Sequence, residues 1–137
     1  MDGMDQFESH PARAAAKASM TAVEAGDRAG WLGLFAPNAL VQDPIGPSMF
    51  DPEGQGHRGA EAIAAFYDNV IAISDSIRFH MRDTYDCGVE VANVGEIHIT
   101  VGGKLGICHV VSTYRATPDG KLAALRAYWE QDKLTFE

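Results

Sequence analysis

The sequence predicts an α+β fold, with helices first in the chain and an antiparallel sheet after them. Before residue 72, apolar residues recur at helical spacing. After residue 77 they alternate with polar residues, in runs that end at turn signals. This order predicts that the helices pack on one face of the sheet. The 137 residues suffice for a core, so we expect a single domain spanning residues 1–137.

Composition and charge narrow the classes of partner. The net charge is −8, from 19 acidic and 11 basic residues, so we expect no nucleic-acid partner and no anionic lipid surface. No apolar run approaches the ~20 residues that span a bilayer, so no membrane association is expected. The acidic start does not resemble a signal peptide, which favours a cytoplasmic location. Neither the two cysteines nor the five histidines have metal-site spacing, so we expect no metal and no cofactor.

The first part of the chain contains signals for three helices. Pro11 is suited to the first turn of a helix, and Gly26 is suited to its end. Asp27 can cap a second, short helix, which carries Trp31 and Phe35 on its apolar side. The third helix follows Gly59, and its apolar residues lie on one side at helical spacing, namely Ile63, Phe66, Tyr67, Val70 and Ile71.

Between the second and third helices, residues 39–43 are predicted to form a short strand that ends at Asp43. Pro44 and Gly46 follow, so Asp43 is either a solvated turn residue or a carboxylate directed into a cavity. The loop over residues 44–58 is rich in proline and glycine, and long ordered loops are often functional. Because it carries Phe50, we expect residues 47–58 to form a lid over a pocket, with His57 as its polar contact; a plain surface loop is the alternative.

The rest of the chain is predicted to form four long strands, over residues 77–85, 89–101, 105–116 and 121–131. Gly102 and Gly103 form a strong two-residue hairpin signal. In the second of these strands the odd positions are apolar and should face the helices. The third strand is apolar on both sides, which indicates that both faces of the sheet are covered. A second copy of the sheet is the simplest cover, so we expect a homodimer.

Three stretches together resemble one known superfamily. They are VEAGDRAGWLGLFAPNALVQDPIGP, GHRGAEAIAAFYDNVI and STYRATPDGKLAALRAYWE. The chain resembles the nuclear transport factor 2-like superfamily over nearly its whole length, and within it the SnoaL-like and ketosteroid isomerase-like proteins. The resemblance implies a cone-shaped, curved sheet wrapped around the N-terminal helices and an apolar pocket inside it. The superfamily includes enzymes and binding modules, so fold alone does not define an activity.

The resemblance also implies roles for particular residues. Asp43 matches the general base of ketosteroid isomerases. The positions of the two groups that stabilise the oxyanion fall on Ser19 and Ser112, which are shorter hydroxyls and could bind an oxygen directly or through a water. Tyr67 matches a helix tyrosine of the family, and Trp129 matches an aromatic residue that lines the pocket. The remaining residues expected to contact a ligand are Phe35, Phe66, Tyr114, Phe50 and His57.

Two functions of different classes follow from these residues. The first is proton transfer, an isomerisation, on a steroid-like or other apolar carbonyl compound with Asp43 as the base. The alternative is a non-catalytic module that binds a small molecule or dimerises. A buried carboxylate that faces hydrogen-bond donors across a cavity of at least ~300 Å³ favours the first. A filled core, or Asp43 in water, favours the second.

Overall fold

A computed structural model describes residues 10–137 and shows helices packed on one face of a curved, open, six-stranded sheet. The α+β prediction is confirmed. The helices are α1 (Pro11–Ala25), α2 (Arg28–Leu32) and α3 (Ala60–Phe66), and a π-helical turn continues α3 over Tyr67–Ile71. The strands are β1 (Phe35–Gln42), β2 (His57–Arg58), β3 (Ser76–Cys87), β4 (Glu90–Val101), β5 (Lys104–Ala116) and β6 (Leu122–Tyr128). A short 3-10 helix, Gln131–Lys133, follows β6.

The ends of the first two helices match the sequence signals. The His10 side chain accepts a hydrogen bond from the Arg13 amide, Pro11 occupies the first turn, and Gly26 ends α1 with a φ of 68°. The Asp27 carboxylate accepts a hydrogen bond from the Gly30 amide at 2.9 Å and caps α2. These caps fix where α1 stops and turns, and therefore which face of it meets the sheet.

The strand order is β2-β1-β6-β5-β4-β3, and β3 to β6 form the expected antiparallel meander. We expected every pair of neighbouring strands to be antiparallel, but β1 runs parallel to β6. A parallel pair needs a long connection, and most of the chain lies between these two strands. β1 also begins at Phe35 rather than at residue 39, with a register shift before Leu40. Pro37 lies within that irregular part, where its missing N–H costs no regular ladder bond.

The pairing of β3 with β4 contains an irregularity that bends the sheet. The pairing register shifts between Met81 and Asp83, so one residue bulges out of β3 opposite Gly95. A Cβ at Gly95 would lie 2.2 Å from the His80 carbonyl oxygen, so this approach of the two strands requires glycine. A bulge next to a glycine bends a sheet, and here it allows β3 and β4 to wrap toward the helices.

The core lies between the helices and the concave face of the sheet. Its most deeply buried large side chains come from α2, α3 and three strands, and they are Trp31, Ile63, Val41, Val91 and Leu122. Alanines on α1 (Ala12, Ala15 and Ala16) are also buried, and their small side chains let the helix approach the sheet closely. Within residues 10–137, no helix has the combination of length and apolar character that crossing a bilayer requires.

We predict that Gly95→Ala destabilises the fold, because the added methyl group must displace the β3 backbone. The expected loss is about 2–3 kcal/mol, the range of overpacking in a tightly packed site. Gly33→Ala is the control, since its nearest contact would be at 3.3 Å and the change should cost less than ~1 kcal/mol. Urea denaturation of both variants measures the difference. Equal stabilities would show that the strand contact at Gly95 does not constrain the sheet.

Candidate active site

A cavity of about 440 Å³ lies between the concave face of the sheet and the helices. Its walls are mainly apolar side chains of three origins. The helices contribute side chains from α1, from α3 and from the π-helical turn, namely Val23, Phe66, Val70 and Ile71. The sheet contributes Ile77, Phe79, Ile97, Ile99 and Val101. The C-terminal segment, residues 131–136, contributes Gln131, Leu134 and Phe136. The volume lies in the range of small-molecule sites, so the cone is not filled by its own side chains.

Asp43 lies at the wall of this cavity, directly after β1. Trp129 lies directly after β6, the strand that runs parallel to β1, so the two residues extend from neighbouring strand ends. The Trp129 indole Nε1 donates a hydrogen bond of 2.5 Å to Asp43 Oδ1. The Ile45 amide donates to the Ala127 carbonyl at 3.0 Å and holds the chain beyond Asp43 against β6. The sheet backbone therefore sets the position of the carboxylate.

The environment of Asp43 makes it a stronger base than an ordinary aspartate. Burial raises the pKa of Asp43 from 3.8 to about 6, although the hydrogen bond from Trp129 acts in the opposite direction. The residue is only partly exposed and lines an apolar chamber, which is consistent with desolvation as the main cause. A carboxylate with this pKa is ionised at neutral pH and holds an abstracted proton about 100-fold more strongly than an aspartate in water.

A second group of polar side chains lines the same cavity. Ser19 comes from α1, Trp31 from α2, and Ser112 and Tyr114 from β5. The Trp31 indole Nε1 donates to Ser19 Oγ at 3.0 Å. Burial, and after it the charge of Asp43, raises the pKa of Tyr114, and hydrogen bonds with Ser112 and Ser19 lower it. Because the net effect is upward, the Tyr114 hydroxyl keeps its proton and remains a hydrogen-bond donor at neutral pH.

The structure brings together seven of the ten residues predicted from the sequence. They line one cavity and are Asp43, Ser19, Ser112, Tyr114, Trp129, Phe66 and Phe50. The other three lie outside the set that lines it. Phe35 packs against Trp31 with ring centroids 4.7 Å apart, and Tyr67 packs against the same indole at 5.5 Å. His57 pairs with Val41 in the sheet, and its ring lies 4.9 Å from that of Phe66.

Sequence reasoning missed the contribution of the C-terminal segment and of Trp31. Leu134 and Phe136 line the cavity, and Phe136 is bridged to Gly106 of β5. Apolar and polar residues alternate over the last four residues of the chain, which indicates a strand-like segment that pairs with the sheet, but the pattern is short. Trp31 was expected only as an apolar residue of α2, and the partner of its N–H lies on another helix.

The two cysteines do not form a disulfide in this structure. Cys108 is buried and lines the cavity, and Cys87 is exposed at the end of β3. Burial raises the pKa of the Cys108 thiol to about 12, so it behaves as a small apolar residue. Among residues 10–137, no group of three or more His, Cys, Asp or Glu side chains converges as metal ligands.

Comparison with protein families gives a match to the SnoaL-like domain over residues 16–130. A comparison with curated protein sequences gives no significant match.

Several solved structures are similar to this chain, and each of the three described below is more than 30% identical to it. A "Delta 5-3-Ketosteroid Isomerase from Mycobacterium sp." is 37% identical, with a TM-score of 0.87 over 93% of this chain and 99% of that one. RV0760c from Mycobacterium tuberculosis, in complex with estradiol-17beta-hemisuccinate, is 34% identical, with a TM-score of 0.86 over 93% and 100%. A computationally designed 17-OHP binder is 33% identical, with a TM-score of 0.86 over 94% and 100%.

We predict that Asp43→Asn stabilises the protein at alkaline pH. The charged carboxylate is disfavoured in the folded state, so its ionisation costs stability above pH 6 and costs nothing below the unfolded pKa of 3.8. The upper limit of the cost is about 3 kcal/mol, at ~1.4 kcal/mol per pKa unit. Urea denaturation should show the variant about 1–3 kcal/mol more stable at pH 8, with the difference shrinking toward pH 4. A difference that does not change with pH would show that Asp43 is not desolvated.

Proposed function

Because the chain belongs to the SnoaL-like family of the nuclear transport factor 2-like fold, we propose that its cavity binds a steroid-sized, apolar carbonyl compound. We further propose that Asp43 moves a proton on that compound. The observation that carries the proposal is a carboxylate with a pKa of about 6 at the wall of an apolar cavity of about 440 Å³. The names of the similar structures support the class of ligand, since they include a ketosteroid isomerase and a designed steroid binder.

The proposed reaction moves a proton within a ketone whose carbon–carbon double bond is one carbon removed from conjugation, and the double bond shifts into conjugation with the carbonyl group. Ionised Asp43 removes a proton from the carbon beside the carbonyl, and the electron pair moves toward the carbonyl oxygen. The protonated carboxyl then returns the proton to a carbon farther along the conjugated system. An ordinary aspartate is a weak base for this step, because its pKa lies far below that of the carbon acid. The raised pKa of Asp43 makes this difference smaller. The apolar wall also excludes water, which would otherwise solvate the carboxylate.

The chain between β1 and β2 provides the proposed rim of this site. Met49 and Phe50 line the cavity, and the Met49 amide donates to Gln131 Oε1 of the C-terminal segment at 3.0 Å. The Asp51 carboxylate accepts from the Gln55 and Gly56 amides and holds the loop in a closed turn. We propose that the loop over residues 47–58 forms the lid and covers the cavity with Met49 and Phe50. Its polar contact is the hydrogen bond to Gln131 and not His57, because His57 pairs with Val41 in the sheet.

A second candidate function is binding without catalysis. It is favoured by Ser19 and Ser112, which stand where the resemblance to ketosteroid isomerases places the two oxyanion groups. Loss of one such donor commonly costs roughly 2.7–4 kcal/mol in the barrier. A protein that has this cavity but weaker hydrogen-bond donors at the oxyanion positions would bind a steroid without turning it over quickly.

We predict that a Δ5-3-ketosteroid is converted to its conjugated isomer, and that Asp43→Asn lowers the turnover by ~100-fold or more. The rate should also fall as the pH drops below about 6, because the base becomes protonated. Ultraviolet absorption of the conjugated ketone measures the reaction. Asp68→Asn is the control, since Asp68 pairs with Arg28 at the surface. Saturable binding of the steroid with no turnover that depends on Asp43 would contradict the catalytic role and favour binding without catalysis.

The outer face of the sheet, opposite the cavity, supports the proposal of a homodimer. Four apolar side chains remain exposed there, and they are Leu105 (43%), Ile107 (38%), Val111 (37%) and Tyr128 (47%). Beside them, the Glu96 carboxylate is 2.9 Å from His98 Nε2 and 3.6 Å from His109 Nδ1. An apolar patch with a polar border is typical of an interface. A two-fold pair would place this face against its own copy.

We predict a species of twice 14.8 kDa in sedimentation at micromolar concentration. Ile107→Lys should raise the dimer dissociation constant roughly 10-fold or more, because it buries an unpaired charge. Val89→Lys is the control, since Val89 is also exposed but lies at the β3–β4 turn. A monomer at all concentrations, or equal effects of the two substitutions, would contradict the outer-face dimer.

A further inference from the structure

A groove of about 590 Å³ lies behind the wall of the cavity, where the sheet is interrupted. β6 pairs with β5 as far as Tyr128 and Val111, and the chain then leaves the sheet. It returns at the bridge between Phe136 and Gly106, so residues 129–135 run outside the sheet beside β5. The groove occupies this interruption, and it opens to the outer face, where Ile107 and Tyr128 line it.

One layer of side chains lies between this groove and the cavity that contains Asp43. Cys108, Trp129 and Leu134 line both spaces. Trp129 is the most important of the three, because its Nε1 donates the hydrogen bond of 2.5 Å to Asp43 Oδ1. Trp129 is only half-buried, whereas the other tryptophan, Trp31, is 1% exposed. A molecule that fills the groove therefore contacts the side chain that holds the carboxylate.

The charges at the groove favour a second copy of this chain as its occupant. Ile107 and Tyr128 belong both to the groove and to the exposed apolar patch of the outer face. The groove also carries Glu130 and Lys133, whose side chains pair at 3.0 Å. A surface with both signs of charge can be matched by its own copy across a two-fold axis, whereas a surface of one sign repels its copy.

The edge of β5 adds backbone polar groups to the groove. The Leu105 N–H donates to the Glu137 carbonyl, and the Leu105 carbonyl accepts from the Glu137 N–H, at 3.1 Å each. In an antiparallel strand these groups point to the same side at every second residue, so those of Ile107 and His109 face the interruption. An occupant that excludes water there must hydrogen-bond them. A protein surface can do so and the hydrocarbon skeleton of a steroid cannot, which favours a second copy over a second ligand molecule.

We propose that a second copy of this chain covers the groove, packs against the outer side of Trp129 and completes the wall of the cavity in which Asp43 lies. The inference rests on the proposed dimer and the proposed ligand, and it adds that the site is incomplete in a single chain. Because the same side chains face the ligand on one side and the copy on the other, ligand binding and dimerisation are coupled. Each strengthens the other, since such coupling is reciprocal.

The first measurement follows the wall itself and needs no ligand. The protein is prepared with 5-fluorotryptophan in place of its two tryptophans, and Trp129→Phe assigns the ¹⁹F signals by removing one of them. The difference of each signal between H₂O and D₂O reports the exposure of that indole to water. Trp31 is the control within the same molecule, because it is almost completely buried.

Val111→Lys separates the copies without a change in the groove, since Val111 lies in the exposed patch but outside the set of residues that line the groove. We expect this variant, and dilution of the unaltered protein, to shift the Trp129 signal and to increase its solvent effect, with the Trp31 signal in place. Val89→Lys, at the β3–β4 turn, is the matched control and should move neither signal. A dimer that separates without a change at Trp129, or with an equal change at Trp31, would overturn the inference.

The second measurement compares the affinity for a conjugated 3-ketosteroid. We expect Val111→Lys to weaken binding roughly 5-fold or more, the lower end of ordinary coupling between sites, and Val89→Lys to stay within about 2-fold. Saturating steroid should lower the dimer dissociation constant by the square of that factor, because each dimer has two cavities. Equal affinities in the two variants would overturn the coupling. Two steroid molecules bound per chain would assign the groove to a ligand and would also overturn the inference.

Two further outcomes concern the proposed function. A protein that binds the steroid but is monomeric at every concentration would contradict both the dimer and the completed wall, and the proposed ligand would stand. A protein that dimerises but binds no steroid would contradict the proposed ligand, and the ¹⁹F signals would still decide whether the second copy covers Trp129.

Discussion

The hydrogen bond from the Trp129 indole to Asp43 is the interaction on which the organisation of the cavity depends. It joins the residues that follow β1 and β6, so the carboxylate is held by the register of a parallel strand pair and not by a flexible loop. One neutral N–H is enough to orient a carboxylate but too little to offset its burial, and the pKa of Asp43 therefore stays near 6. A carboxylate that accepts several backbone N–H bonds has its pKa lowered well below the ordinary value and is a poor base.

The cavity itself needs support, because protein interiors normally pack to high density. Here the bulge opposite Gly95 bends the sheet, and the alanines of α1 keep the helix close on one side only. The C-terminal segment then closes the open side, with the Phe136 ring resting on Gly106. An apolar space that stays open lowers stability, because the side chains that line it lose packing contacts. Retention of such a space, together with a desolvated carboxylate, is typical of a site that is stabilised by its ligand.

The polar residues of the cavity divide into two groups with different chemistry. Asp43 and Trp129 form a charged group whose proton affinity is raised, and Tyr114 with its two serines forms a neutral group of donors. Both environments raise the pKa of the group they surround, yet at neutral pH the carboxyl group is ionised and the phenol is neutral, so the cavity holds a base and a hydrogen-bond donor together. The opposite face of the sheet has neither feature and carries exposed apolar side chains beside a carboxylate–histidine cluster. The two faces of one sheet thus have distinct properties, set by the alternation of side chains along β4 and β5.

The sequence by itself determined the local features of this protein. The helix start at Pro11, the caps at Gly26 and Asp27, the glycine hairpin and the alternation of β4 are properties of neighbouring residues, and the structure agrees with each of them. For Asp43 the strand followed by proline and glycine left two interpretations, a solvated turn residue or a carboxylate directed into a cavity, and the resemblance to ketosteroid isomerases favoured the second.

Tertiary structure decided everything that depends on long-range register. The parallel pairing of β1 with β6 brings Asp43 to Trp129, which lies 86 residues later in the chain. The same kind of distant contact places Trp31 beside Ser19, returns Phe136 to β5, and keeps His57 outside the set of residues that line the cavity. Periodicity predicts which face a side chain occupies. It does not predict which distant strand end lies opposite, because that depends on the closing of the sheet around its helices.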